Sequence, residues 1–318
     1  MFNSFILENQ TTKQQIEFGQ EYTSSFYFKE DGVNIGSVEV EQNTYSYPYQ
    51  VGLSISNTTI KSRQVSIKGY ISYIPSRADI ESVNGEHGRL LEEIVLKQVE
   101  NKKKTLNSLI IPDDFIRMYI GDYYIEGKPD GSIQYGKTQD ENNEYFCAFL
   151  IELYCSNPMF RKVKETISNI ASSTGAFHFP WILKPTGVIL SSRKSYQLIY
   201  AENEGNATIG AIITIEAKGE IENLELENVT TGEKIKINKT LQLGEKIIIN
   251  TNDGNDKGIV GTTAFAYENY YRYWDQDNKW MKFPQGLSLI GYSTDNESEK
   301  YVDIKIEMYP EKYNLEVE

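Results

Sequence analysis

The sequence predicts a mainly β protein in two parts: a β-rich N-terminal domain with one long helix, and a C-terminal β-sandwich. Three observations predict it. Apolar and polar residues alternate with period two through much of the chain, one segment has helical spacing instead, and beyond about residue 200 short strand patterns are divided by Gly, Asn and Asp turns. Period two puts every second side chain on one face, as a half-buried sheet requires. The 23 Tyr, together with Ile, Val and Thr, suit strands. A chain of 318 residues has room for two ordinary domains or one large all-β unit.

Taken in order, Tyr49, Val51, Leu53 and Ile55 alternate with other residues and predict a strand with one buried face. Val65, Ile67, Gly69, Ile71 and Tyr73 repeat the pattern. Residues 88–109 place Leu91, Ile94, Val95, Val99, Leu106 and Leu109 at helical spacing. Glu92 and Glu93 come early, Lys102–Lys104 late and Pro112 beyond, an order that complements the helix dipole. Residues 145–155 (YFCAFLIELYC) are apolar almost throughout and predict a central strand covered on both faces. Residues 161–172 (RKVKETISNIAS) read as a second, short helix. Near the end, Val302, Ile304, Ile306 and Met308 alternate with Asp303, Lys305 and Glu307.

Charge narrows the function. The net charge of −13 argues against a nucleic-acid binder, which needs a basic face to displace counterions from phosphate. Charge is also uneven: −8 over residues 1–155, +5 over 156–200 and −10 over 201–318. The basic stretch, with Pro158, Pro180 and Pro185, reads as the passage between domains, expected at 1–158 and 159–318. No apolar run approaches the roughly 18 residues of a membrane span. The N-terminus lacks a basic region, and Phe5–Leu7 is too short an apolar core for a secretion signal. Two cysteines, Cys147 and Cys155, make no disulfide framework, which fits synthesis in a reducing cytosol. Two histidines, His87 and His178, give metal sites and histidine catalysis little material. No enzyme, cofactor or metal is expected.

Three motifs were weighed. Residues 131–138 (GSIQYGKT) match the P-loop pattern, but a turn precedes them and a polar stretch leading into a strand follows. A phosphate cradle needs a strand before and a helix after it, so chance is the better explanation. Residues 250–256 (NTNDGND) look like a calcium loop but miss its spacing and terminal Glu; an Asp-Gly turn is the better reading. The aromatics Tyr267, Tyr270, Tyr271, Tyr273, Trp274 and Trp280, near Asp275, Asp277 and Asn278, are the candidate contact surface. Rings and acceptors together suit a sugar; rings closing a sandwich end or meeting a protein are the plainer alternative.

The second half resembles the C-terminal domain of siphophage distal tail proteins (Dit). Cys155-Ser156-Asn157-Pro158-Met159-Phe160 resembles that family's Cys/Asp-Pro-aromatic junction, and Asn203-Glu204-Gly205-Asn206-Ala207 its N-x-G-N/D-A opening. Asn228-Val229-Thr230-Thr231-Gly232 is similar to its N-x-T-T-G turn, followed by Leu241–Lys246 and the strand Ile247–Asn250. Phe283-Pro284-Gln285-Gly286-Leu287-Ser288 matches its L-x-P-G-x-N turn with one extra residue, and Met308–Tyr313 closes the domain. In the first half, Arg63–Gly69 resembles the strand after which the family places its helix and hairpin. The resemblance implies an N-terminal ring-forming domain, a homohexamer around the tail channel, and a galectin-like C-terminal β-sandwich. It implies a non-enzymatic virion component joining the tail tube to the baseplate and adsorption apparatus. The implied partners are the tail tube protein, the baseplate hub protein and receptor-binding proteins, with DNA passing through unbound and no membrane contact. No His follows His178, so the sugar signature of true galectins is missing. A carbohydrate-binding module acting through the 267–280 aromatics is the alternative.

Overall fold

The computed structural model describes residues 3–20, 25–82, 89–138, 142, 146–169, 172–175, 191–194, 198–254, 257–262, 266–295 and 298–315. Contacts divide the chain into two compact units, Met1–Arg161 with Tyr313–Glu318, and Lys162–Lys312. The second unit is therefore an insertion into the first. Residues 159–161 and those from Tyr313 onward, assigned to the second domain on sequence, group with the first unit.

The first unit is built from β1 (Ser4–Asn9), β2 (Gln15–Gly19), β3 (Phe26–Asn34), β4 (Val40–Tyr45), β5 (Ser54–Ile60), β6 (Arg63–Ser72), helices α1 (Arg77–Ser82) and α2 (Arg89–Leu109), β7 (Ile116–Ile120), β8 (Tyr123–Pro129), β9 (Gln134–Tyr135) and β10 (Phe146–Cys155). The strands run in the order β8-β7-β1-β2-β3-β6-β10. β10 then pairs back to β8 through Leu153 with Pro129 and Tyr154 with Lys128, so the sheet closes into a barrel. Closure satisfies strand edges that would otherwise invite pairing with other chains. Phe5, Leu7, Phe18, Phe28, Val65, Ile67, Ile71 and Phe149 fill the interior, with Phe5 and Phe18 stacked at 4.8 Å. In β10 burial alternates: Cys147, Phe149, Ile151, Leu153 and Cys155 point inward, while Glu152 and Tyr154 are exposed. The apolar run therefore has one covered face, not two, because a barrel strand keeps an outer side.

The expected long helix is α2, with Gly88 outside the described residues. Its buried Val95, Val99, Leu106 and Leu109 pack on β6 and β2. Its last turn holds no basic residue. Lys102 instead donates to the Ser72 carbonyl at 2.7 Å and lies 4.9 Å from the centre of the Tyr73 ring. Asn9, fully buried at the end of β1, fastens the helix to the barrel. Its Nδ2 donates to the Leu109 carbonyl and to Asp114 (both 2.9 Å), and its Oδ1 accepts the Thr11 and Thr12 amides (2.8 and 2.9 Å).

The second unit comprises β11 (Phe160–Lys162, shared with the connection), β12 (Thr166–Asn169), β13 (Ser172–Gly175), β14 (Ser191–Lys194), β15 (Leu198–Asn203), β16 (Ile212–Ala217), β17 (Ile221–Asn228), β18 (Glu233–Leu241), β19 (Lys246–Asn250), β20 (Gly258–Thr262), β21 (Tyr267–Asn269), β22 (Gly286–Ser293), β23 (Val302–Met308) and β24 (Glu311–Lys312). Two sheets, β12-β23-β16-β19-β20-β21 and β15-β22-β17-β18, make the β-sandwich. Inward Ile213, Ile215, Ile247, Ile249 and Ile306 come from one sheet, and Ile199, Leu224, Leu226, Ile235 and Ile290 from the other; all are buried. The expected helix at 161–172 is absent: its described residues lie in β11, β12, β13 and the bend between β11 and β12, with Thr166 and Ile167 paired to Met308 and Glu307. A strand partner overrides a weak helical pattern, and the β-branched residues favour that outcome.

The two asparagine turns are working parts. Buried Asn203 donates to the Ala207 and Phe283 carbonyls (2.8 and 3.0 Å) and accepts the Gly205 amide. Asn228 accepts the Thr230 amide and donates to the Lys282 carbonyl, and the turn ends at Gly232 with φ +74°. That left-handed conformation favours glycine.

Candidate functional site

The candidate aromatics lie between the edge strand β21 and β22. Two turns of backbone position them: a short 3-10 turn over Tyr271–Tyr273, then a bridge from Trp274 to Ile237 of β18. The structure separates them into two groups. Trp274 and Trp280 sit 4.7 Å apart, and Tyr271 meets Trp280 edge-on at 6.1 Å. The Lys257 ammonium caps the Trp280 ring at 5.2 Å. These three rings are half-buried or exposed. Tyr270 is core instead, 1 % exposed, so it is no surface residue. It fills the space over Gly261, where a Cβ would come within 1.9 Å of its ring. Tyr273 meets Tyr270 edge-on at 5.2 Å, with Lys239 over both rings, and burial pushes the Tyr270 phenol up. Tyr267 is well exposed on β21.

The polar neighbours are committed. Asn278 accepts the Lys236 amide at 2.6 Å and donates to the Lys236 carbonyl at 2.8 Å. Asp275 accepts from Asn238 and from the Asp277 amide, both at 3.0 Å, which holds its carboxyl below the usual aspartate range. The side chains that would meet sugar hydroxyls thus tie the aromatic segment to β18.

The other motifs resolve simply. In 131–138, Gln134 and Tyr135 form β9 and pair with Leu150 and Phe149 of β10. Tyr135 donates to Asn107 at 2.9 Å, and burial pushes its phenol up to about 12. A strand thus occupies the middle of the supposed phosphate loop. At the calcium-like turn, Lys282 and Lys257 pair with Asp253 at 2.7 and 3.1 Å, so ammonium groups stand where a cation would. Asn255 and Asp256, like His87, His178 and Lys184 of the basic stretch, lie outside the described residues. Among the described residues no three His, Cys, Asp or Glu come together as metal ligands, and no helix is long and apolar enough to cross a membrane. The Cys155 thiol is pushed up to about 12 by burial.

Two features escaped the sequence reading. The first is the β4–β5 hairpin, a separate two-stranded sheet whose residues are almost all exposed. Tyr49 and Val51 are fully exposed and Tyr47, Leu53 and Ile55 more than half so. The strand expected there is not formed over Tyr49, Val51 and Leu53, which lie in the connection between β4 and β5, with only Ile55 in β5; among the described residues nothing covers them. Isolated two-stranded hairpins are marginal in water, and exposed apolar residues of this kind mark contact surfaces. The second is Arg63, which opens β6 just after the hairpin and is 1 % exposed. Its guanidinium lies 4.8 Å from the centre of the Phe160 ring and donates to the Tyr313 carbonyl. Burial lowers its pKa, and its Nε has no partner among the described residues. Only the lone cation opening an apolar alternation could have signalled it.

Comparison with known proteins now adds a family. Residues 204–307 match the siphovirus-type tail component, C-terminal domain. The chain resembles the siphophage distal tail proteins. It shares its fold with the crystal structure of the SPP1 Dit (gp 19.1) protein, described as a paradigm of hub adsorption apparatus in phages infecting Gram-positive bacteria. The TM-score is 0.61 at 11 % identity, over 96 % of this chain and 98 % of that one. A chain of the phage P2 baseplate, in its activated conformation with Ca, aligns with a TM-score of 0.42 at 13 % identity, over 96 % of this chain and 98 % of that one. No curated protein matches by sequence. The family resemblance read from the second half therefore stands over residues 204–307, and as a fold it extends over nearly the whole chain.

Proposed function

We propose that this protein is a non-enzymatic structural hub of a phage tail tip, joining the tail tube to the baseplate and the host-adsorption apparatus. The observation that carries the assembly reading is the β4–β5 hairpin, an apolar arm too exposed to be stable alone. A second copy of the chain is the occupant that closed cyclic symmetry supplies, since each hairpin then meets the same surface of the next protomer. The homohexameric ring implied by the resemblance fits this arm, with the first unit as ring and the β-sandwich as the galectin-like outer domain. The tail tube protein, the baseplate hub protein and receptor-binding proteins are its partners in this reading, and the virion tail tip its place. The acidic charge suits a channel that lets DNA slide without holding it. Negative-stain imaging of the purified protein tests the proposal: six-fold rings are expected. A folded preparation that stays monomeric at every concentration refutes the ring.

A further inference from the structure

The segment returning from the second unit and the root of the hairpin meet at one residue. Arg63 follows directly on the last backbone bonds of the hairpin, where the Glu39 amide donates to the Ser62 carbonyl (3.3 Å) and the Lys61 amide to the Glu39 carbonyl (2.8 Å). Gly36, on the other side of the root, lies against the Gln64 carbonyl and the Arg63 side chain. From below, the same guanidinium is held by Phe160, where the chain leaves the first unit, and by Tyr313, where it returns. Two residues on, Leu315 packs against the core cluster of the first unit. An almost fully buried cation is costly unless its donors are used and its charge is faced by polarisable groups. Without the returning residues, Arg63 would lose the Tyr313 acceptor while staying buried.

We propose that Tyr313–Leu315 are a strap that fixes the root of the β4–β5 hairpin through Arg63, so that only a chain that has returned past the inserted second unit presents a competent assembly arm. The strap is made only after the whole inserted unit, although the barrel it packs on is made before it. Assembly of chains lacking the second unit is thereby avoided: a partly made protein has its barrel strands but not the contact that steadies its arm. The assembly half of this inference rests on the ring reading; the strap half does not.

The test compares the full chain with one ending at Lys312, with Arg63→Met and with Leu315→Ser. Hydrogen exchange is measured at Lys61–Ser66 and, as an internal control, at β16 and β19 of the second unit; light scattering reports assembly. In the chain ending at Lys312 we expect root amides to exchange about tenfold faster or more, control strands to keep their protection, and self-association to weaken. Arg63→Met and Leu315→Ser should show the same pattern to a smaller degree, which keeps the test decisive if the truncated chain is insoluble. Unchanged root protection in all three variants overturns the strap. Equal loosening of both units overturns it too, since that is general destabilisation. A root that loosens in a protein whose full chain never self-associates leaves the strap standing and removes the ring.

Discussion

Replacing Val51 and Leu53 together by Ser separates the hairpin's role in the protomer from its role between protomers. Val51 is 101 % exposed and Leu53 65 %, so the protomer buries little of either side chain. Surface substitutions of this kind shift folding stability by no more than about 0.5 kcal/mol, so the melting of the first unit should not move measurably. If a second copy covers the arm, each aliphatic chain contributes about 1.5–3 kcal/mol on burial. The pair is then worth about 3–6 kcal/mol per interface before the ordering of side chains takes its share. A net loss of about 3 kcal/mol lowers the association constant roughly a hundredfold. Sedimentation velocity over a range of concentrations reads the association, and calorimetry on the same samples reads the folding. Unaltered association would show that the arm is not covered in the assembly. An early-melting first unit would show that the arm supports the barrel itself.

Further outcomes follow from named contacts. Asn9→Leu should destabilise the first unit by about 3 kcal/mol, because the Thr11 and Thr12 amides and the Leu109 carbonyl lose a buried partner; denaturant titration measures it. Asp114 is held below the usual aspartate range by hydrogen bonds from Asn9 and Thr11. Its contribution is present above the unfolded-state pKa and is lost as pH falls through the lowered folded value, so the gap between Asn9→Leu and the parent should narrow in acid. Gly261→Ala drives a Cβ into the Tyr270 ring and should cost the second unit about 2 kcal/mol or more while sparing the first; two-transition calorimetry shows which unit moves. Trp280→Ala should cost the second unit about 2–3 kcal/mol, since its partners are protein groups. If that variant instead melts normally and loses binding to host cell-wall saccharide in a pulldown, the aromatics are a sugar platform.

Much of the fold was legible because it follows from periodicity. The alternation of 63–73 and of 302–308 became β6 and β23, and the helical spacing of 88–109 became α2. What periodicity leaves out is the identity of the covering surface. Tyr49, Val51, Leu53 and Ile55 carry the alternating pattern and yet stand in the open. Closure of the barrel by β10 on β8 depends on pairs well apart in sequence, and no local signal reports it. At the aromatic segment the residue types were visible, but Tyr270 turned inward because Gly261 leaves room for its ring. The Arg63 contact joins residues 250 positions apart, beyond the reach of any local pattern.

The insertion of the second unit also bears on how such a protein can diversify. Its two ends, after Arg161 and before Tyr313, emerge beside one guanidinium, so the host barrel sees only a closed loop of arbitrary content. Loop length weighs on stability only logarithmically, which makes the exchange of one cargo for a larger one thermodynamically cheap. A lineage can therefore exchange the whole inserted unit between these two points while keeping Arg63, Phe160 and Tyr313 as the seam.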